Sequence, residues 1–128
     1  MILDTTFLVD VLRGAESVAD LVSDLDEEAP YVSSITVMEL HEGVHVADTT
    51  ETQRDAVAEL LTEINELPFD HDCAMAAGRL NAELVSAGER IDETDVMIAA
   101  TALVHDHPVM TRNVDHFERA DEVEVVSY

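Results

Sequence analysis

The sequence contains no lysine; all six of its basic residues are arginine. That absence excludes chemistries that need a lysine, among them a Walker A phosphate loop, a Schiff base and a phospho-receiver site. Glycine is scarce as well: Gly14, Gly43, Gly78 and Gly88 are too scattered for a Gly-rich phosphate loop. No G-x-S-x-G elbow and no C-x-x-C is present. The lone cysteine, Cys73, allows no intrachain disulfide, which suits a reducing cytoplasm. Aromatics make up only 4% of the chain, too few to offer bases a stacking platform. The longest apolar run, Val96 to Val104, contains Thr101 and falls short of the ~20 residues of a membrane span. The opening MILDTTFLVDVLRG has no basic n-region and is broken by Asp4, so it does not read as a signal peptide. A soluble cytoplasmic protein without a membrane partner is expected.

Acid is abundant. Asp and Glu number 29 against six Arg, a net charge of −23. Hydrophobic residues nonetheless reach 47%, so the chain should fold rather than behave as a disordered acidic tail. Its 128 residues suit a single domain, 1–128. Taken alone, the charge argues against nucleic acid, whose phosphates it would repel. The acids are spread along the chain, and this suggests adaptation to high salt (a halophilic protein). At about 1 M salt the Debye length falls to about 3 Å and surface repulsion is mostly silenced.

Periodicity and turn residues outline the elements. Ile2-Leu3 reads as a buried strand ending at Asp4, and Thr5 to Arg13 as a helix stopped by Gly14. Ser17 to Leu25 follows as a helix, then Tyr31-Val32-Ser33 as a strand. Helices are predicted over Thr36 to Ala47, opened by a capping box Thr36-x-x-Glu39, and over Thr50 to Ile64, opened by Thr50-x-x-Gln53. Leu67-Pro68-Phe69 reads as extended, and Asp72 to Ala87 as a helix ending at Gly88. Asp92 to Asp106 is a helix with an apolar middle, Val96 to Ala100, which should be buried on all sides. Val109 to Thr111 is a strand, Asp115 to Arg119 a helical turn, and Val123 to Val126 a last strand. Strands alternating with helices indicate an α/β fold with a mainly parallel sheet. Its functional crevice should lie at the carboxyl ends of the strands.

Several polar residues fall on that side. Each has a commonplace structural job. Asp4 could cap the first helix, Glu39 could close its own capping box, and Asp92 with Asp95 could be a cap and its N3 acid. Asn113 and Asp115 could be turn residues. Taken together, four separated segments each deliver a carboxylate or amide to one end of the sheet. Such a cluster repels itself unless a cation sits within it, and hard ions such as Mg²⁺ or Mn²⁺ prefer oxygen ligands. A metal so held next to a phosphodiester can activate water.

The residues around these acids carry a family likeness. MILDTTFLVDVLRG, VSSITVMELHEGV, IDETDVMIAATAL and VMTRNVDHFERA resemble, in order and spacing, the four signature segments of PIN-domain nucleases, specifically VapC-type toxin ribonucleases. The resemblance implies a PIN-domain-like three-layer fold, its mainly parallel central sheet flanked by helices. It implies a metal site formed by Asp4, Glu39 and Asp95. A fourth position falls in the T-R-N segment, where Asn113 stands in place of a frequent acid and His116 replaces another just before Phe117. Asp115 is the candidate substitute, so the expected catalytic set is Asp4, Glu39, Asp95, Asn113 and Asp115. Thr6 and Thr111 match hydroxyl positions beside the site. The implied activity is Mg²⁺- or Mn²⁺-dependent hydrolysis of RNA, leaving 5′-phosphate and 3′-hydroxyl ends. The implied partners are a cognate antitoxin and a second copy of the chain. Arg13, Arg112 and Arg119 lie in or just after the signature segments and are the candidates for phosphate contacts.

A competing motif is His41-Glu42-Gly43-Val44-His45, a literal H-E-x-x-H, which would make a zinc metallopeptidase. Gly43 weakens that helix by about 1 kcal/mol relative to Ala, and only Asp48 offers a third ligand nearby. His71, His105, His107 and His116 show no ligand spacing and read as surface or loop residues. A third reading is a non-catalytic PIN-like binding module, although Asp4, Glu39 and Asp95 are all present.

Overall fold

The computed structural model of the protein describes residues 1–14, 30–46 and 50–128, so the expected helix Ser17–Leu25 lies outside the described residues. The chain opens with β1 (Ile2–Leu3) and α1 (Thr5–Leu12). Next come β2 (Tyr31–Ser33), α2 (Ser34–Val46), α3 (Glu51–Thr62) and β3 (Asn65–Leu67). Two longer helices follow, α4 (His71–Ser86) and α5 (Glu93–His105). The described chain closes with β4 (Val109–Met110), α6 (Val114–Glu118) and β5 (Val125–Val126).

The strands form one parallel sheet in the order β3-β2-β1-β4-β5. Strands this short still separate two faces, because successive side chains point to opposite sides. Ile2 and Val109 join Leu80, Leu84, Ile98 and Phe117, from α4, α5 and α6, in one apolar cluster. Their neighbours Leu3 and Met110 join Phe7, Leu8, Leu40 and Val57, from α1, α2 and α3, in the other. The result is the expected three-layer α/β arrangement. The chain steps outward from β1 to β2 and β3, then returns to the far side of β1 for β4. The order therefore reverses between β1 and β4, the point where a doubly wound sheet opens a crevice at its carboxyl ends.

The apolar middle of α5 behaves as its composition requires: Ile98, Ala99, Ala100 and Ala102 are fully buried. Two helix stops are as the glycines predict. Gly14 and Gly88 take φ of +66° and +70°, a left-handed conformation that favours glycine. At the second, Gly88 N–H donates to the Val85 carbonyl (3.1 Å) and Glu89 N–H to the Leu84 carbonyl (2.9 Å), a Schellman closure. The capping box of α3 forms in both directions between Thr50 and Gln53. No described helix is long and apolar enough to cross a membrane.

Three local expectations need correction. The capping box Thr36–Glu39 does not form. The helix begins two residues earlier, at Ser34, and the Ser33 hydroxyl accepts from the Ile35 N–H (3.1 Å). The third strand is Asn65–Leu67 rather than Leu67–Phe69. Pro68 has no N–H for the ladder, whereas Asn65 and Glu66, polar and exposed at a sheet edge, pair with Tyr31 and Val32. The last strand begins at Val125 rather than Val123, because Val123 N–H closes a turn onto the Ala120 carbonyl (3.0 Å).

Candidate active site

Asp4 and Thr111 follow β1 and β4 directly, so the reversal of strand order sets them side by side. Asp4 is only 2% exposed. It stands at the N-cap position of α1 but makes no capping bond with its side chain. Its Oδ2 instead accepts hydrogen bonds from the Thr111 hydroxyl at 2.7 Å and the Thr6 hydroxyl at 2.9 Å. The capping explanation of Asp4 fails on this geometry. Two hydroxyls from opposite sides of the switch point fix one carboxylate oxygen.

Glu39 enters from α2, half-buried. The Thr5 hydroxyl donates to its Oε1 at 2.7 Å and lies 3.1 Å from the buried Thr36 hydroxyl. Thr36, read from the sequence as a cap, is thus part of the support for this side chain. Asp95 comes from the first turn of α5 and is 9% exposed. Its Oδ2 lies 3.2 Å from His116 Nδ1 and 3.4 Å from Asn113 Nδ2, and those two nitrogens are 2.8 Å apart. Asp92 caps α5 by position without a side-chain bond. Asp92, Asp95 and His116 each bring a possible metal-binding atom within 4.8 Å of the others.

Asp4, Glu39, Asp95 and Asn113 line one cleft of about 330 Å³, which Thr5, Thr6, Asp92, Arg13 and Arg112 also border. The cleft is electrostatically costly. Burial pushes the Glu39 carboxyl above its ordinary pKa, and the charges of Asp4 and Asp95 push it further. Burial also raises Asp95, with Asp4 and Asp92 adding to the shift and the His116 hydrogen bond opposing it. Carboxylates crowded and desolvated in this way favour any cation placed among them. An oxygen-rich donor set with one imidazole fits a divalent ion.

The expected residues fare differently. Asp115 is exposed in the first turn of α6 and does not line the cleft. Arg13 and Arg112 border it, whereas Arg119 donates to the Arg90 carbonyl (3.1 Å) and is turned elsewhere. His116, read from the sequence as a surface or loop residue, sits instead against Asp95. Three residues in or behind the cleft gave no sequence signal. Asp10 is buried, and Arg112 Nη1 lies 3.4 Å from its Oδ1. The Tyr128 phenol hydrogen-bonds to Asp10 and packs edge-on against Phe7, with ring centroids 4.9 Å apart. Burial, then Asp10, pushes that phenol up to about 12. Thr5 is the third. Such contacts join positions more than 30 apart in the chain, and no local pattern records them.

His41, Glu42 and His45 are exposed on α2. Among the described residues they belong to no group of three metal-binding side chains. Among the described residues the H-E-x-x-H motif thus finds no third ligand of the kind a zinc peptidase requires; Asp48, the nearby candidate, lies outside the described residues.

A doubly wound sheet that gathers carboxylates at its switch point marks a class of α/β proteins whose ligand crevice can hold a cation. The chain belongs to the PIN domain family, whose model matches residues 1–123. Ribonuclease VapC19 of Mycobacterium tuberculosis is 35% identical over 118 residues, covering 91% of this chain and 90% of that protein. Ribonuclease VapC5 of the same organism is 32% identical, covering 98% and 93%. Among solved structures, DNA-bound VapBC from Salmonella typhimurium superposes with a TM-score of 0.90 at 26% identity, covering 98% of this chain and 96% of that one.

Proposed function

We propose that the chain is a divalent-metal-dependent endoribonuclease and the toxin of a toxin–antitoxin pair. The observation that carries this reading is the meeting of Asp4, Glu39 and Asp95, from three separate elements, in one cleft at the switch point. Asp4, Glu39 and Asp95 would hold Mg²⁺ or Mn²⁺, with Asn113 orienting Asp95. A bound divalent ion supplies activation of water and charge neutralisation on the scissile phosphate. The chain's own part is to fix the ligands and draw the phosphate in. Thr6 and Thr111 lock Asp4, Thr5 locks Glu39, and Arg112, steadied by Asp10, offers the cleft a positive charge. Arg13 offers a second. Asp115, set apart from the cleft, serves this reading least.

The relatives' names supply the substrate class, RNA, and the Salmonella assembly suggests a protein antitoxin as partner. A homodimer belongs to the same reading. It is supported by an apolar cleft of about 270 Å³ between α4 and α5, lined by Ala77, Val96 and Met97 among others. There the buried Oδ1 of Asn81 has no partner among the described residues. The domain would be single, and its setting a cytoplasm at high salt, where the buried thiol of Cys73 stays reduced. Purified chain incubated with RNA and Mg²⁺ or Mn²⁺ should yield fragments bearing 5′-phosphate, detected by ligation. Fragments ending in 2′,3′-cyclic phosphate would refute metal-assisted hydrolysis. Unfolding in dilute buffer and in molar KCl should show a higher midpoint in KCl; equal midpoints would remove the high-salt reading.

A further inference from the structure

We propose that His116 is itself a metal ligand of this cleft and turns its preference from Mg²⁺ toward first-row transition ions such as Mn²⁺. The inference rests on the metal-dependent reading above and adds to it a nitrogen donor. Three observations carry it. The first is spacing. Two neighbouring ligands on an octahedral ion with bonds of about 2.1 Å stand about 3 Å apart. His116 Nδ1 and Asp95 Oδ2 are 3.2 Å apart. Asp92 brings a third donor within 4.8 Å of both.

The second observation is the direction of the hydrogen bonds. Asn113 Nδ2 lies 2.8 Å from His116 Nδ1 and 3.4 Å from Asp95 Oδ2. An amide NH₂ only donates, so in this orientation it meets a lone pair on Nδ1 when the ring carries its proton on Nε2, and another on the carboxylate. Reversing the amide would turn its carbonyl oxygen onto the Asp95 carboxylate, which is worse. In that tautomer Nδ1 and Oδ2 face each other as two acceptors; with its proton on Nδ1 the ring instead donates to Oδ2, the arrangement in which His116 lowers the Asp95 pKa. A proton on Nδ1 would relieve that pair but collide with the amide hydrogens. A cation bound to both atoms takes the single Nδ1 lone pair in place of the Asn113 contact, removes the clash of acceptors and leaves the amide to donate to Asp95 Oδ2.

The third observation is chemical. Mg²⁺ demands oxygen ligands at near-ideal geometry, whereas imidazole nitrogen suits transition ions better. Placing one imidazole among carboxylates therefore raises transition-ion affinity more than Mg²⁺ affinity. His116 is held for this role by its place on α6, where the next residue, Phe117, is fully buried and fixes the helix against the core.

Pulsed EPR of Mn²⁺ bound to the full chain tests the assignment without relying on activity. It should be run in the wild type and in His41→Ala/His45→Ala, so that the exposed pair on α2 supplies no nitrogen. Nitrogen-14 modulation from one coordinated imidazole is expected in both and should vanish in His116→Asp. In parallel titrations, His116→Asp should keep Mg²⁺ binding while its Mn²⁺-over-Mg²⁺ affinity ratio falls about tenfold or more. Mn²⁺ that binds and is weakened by Asp95→Asn, yet shows no nitrogen coupling, would overturn the ligand assignment and leave the metal site standing. A wild type that binds neither ion would overturn both. The wild-type spectrum decides the question even if a variant fails to fold.

Discussion

Helix α5 carries two opposite environments within a few residues. Its first turn holds Glu93 and Asp95, with Asp92 just before, and burial together with the like charges of Asp4 and Asp92 raises the pKa of Asp95. One turn later Ile98, Ala99 and Ala100 are fully buried between the sheet and α4. The middle of the helix gains stability by burial, at roughly 25 cal/mol per Å² of apolar surface. The first turn surrenders some of that gain to hold charges out of water. The core fixes α5 rigidly enough that its unfavourable end has one geometry, and a site that needs ångström precision depends on that.

This contrast can be attacked from the core side first. Phe117→Ala empties a fully buried aromatic position and should cost about 3–5 kcal/mol of stability, read by denaturant unfolding. A loss under 1 kcal/mol would mean the core does not hold the cleft as described. A smaller effect is expected from Thr111→Val, which removes the 2.7 Å donor to Asp4 and keeps the shape of the side chain. Affinity for Mn²⁺ should fall about 10–100-fold, as for other groups that orient a metal ligand. Unchanged affinity in a calorimetric titration would show that the hydroxyl does not position Asp4.

The site side predicts a gain instead of a loss. Glu39 has a raised pKa in the folded chain, so the folded state binds its proton more tightly than the unfolded state does. Stability then falls as pH rises from the unfolded pKa through the folded one, and stays lower above it. Glu39→Gln should therefore raise the melting temperature of the metal-free chain at pH 7 by a few degrees. The gain should shrink toward zero as the pH is lowered below the carboxylate range. A variant less stable than wild type at pH 7 would contradict the account. The smallest effect belongs to Asp115→Asn, which should leave Mn²⁺ affinity and melting temperature unchanged because the side chain is exposed outside the cleft.

The two regions also differ in how far the sequence alone discloses them. The apolar middle of α5 is written as consecutive residues, and its burial follows from composition. Parallel strands, glycine stops and the α3 capping box are likewise local signals. Asp4, Glu39 and Asp95 can be picked out because each sits inside a motif. What surrounds them cannot. Thr5 reaches Glu39 across 34 positions and Thr111 reaches Asp4 across 107, so only the folded sheet brings them together. His116 reads as a surface histidine until α6 is placed beside α5. β3 is read two residues too late because an edge strand can be polar, as Asn65 and Glu66 are. The overall charge of −23 misleads in the same way. It describes the whole surface, while Arg13 and Arg112 border the one cleft where a phosphate would sit.

The most direct measurement is RNA cleavage by the purified chain in molar KCl with Mn²⁺, compared with the same reaction in EDTA and with Asp95→Asn. The account predicts cleavage in the first, none in EDTA, and a loss of roughly 10²-fold or more in a variant that still folds. Cleavage that survives in EDTA or in folded Asp95→Asn would contradict it.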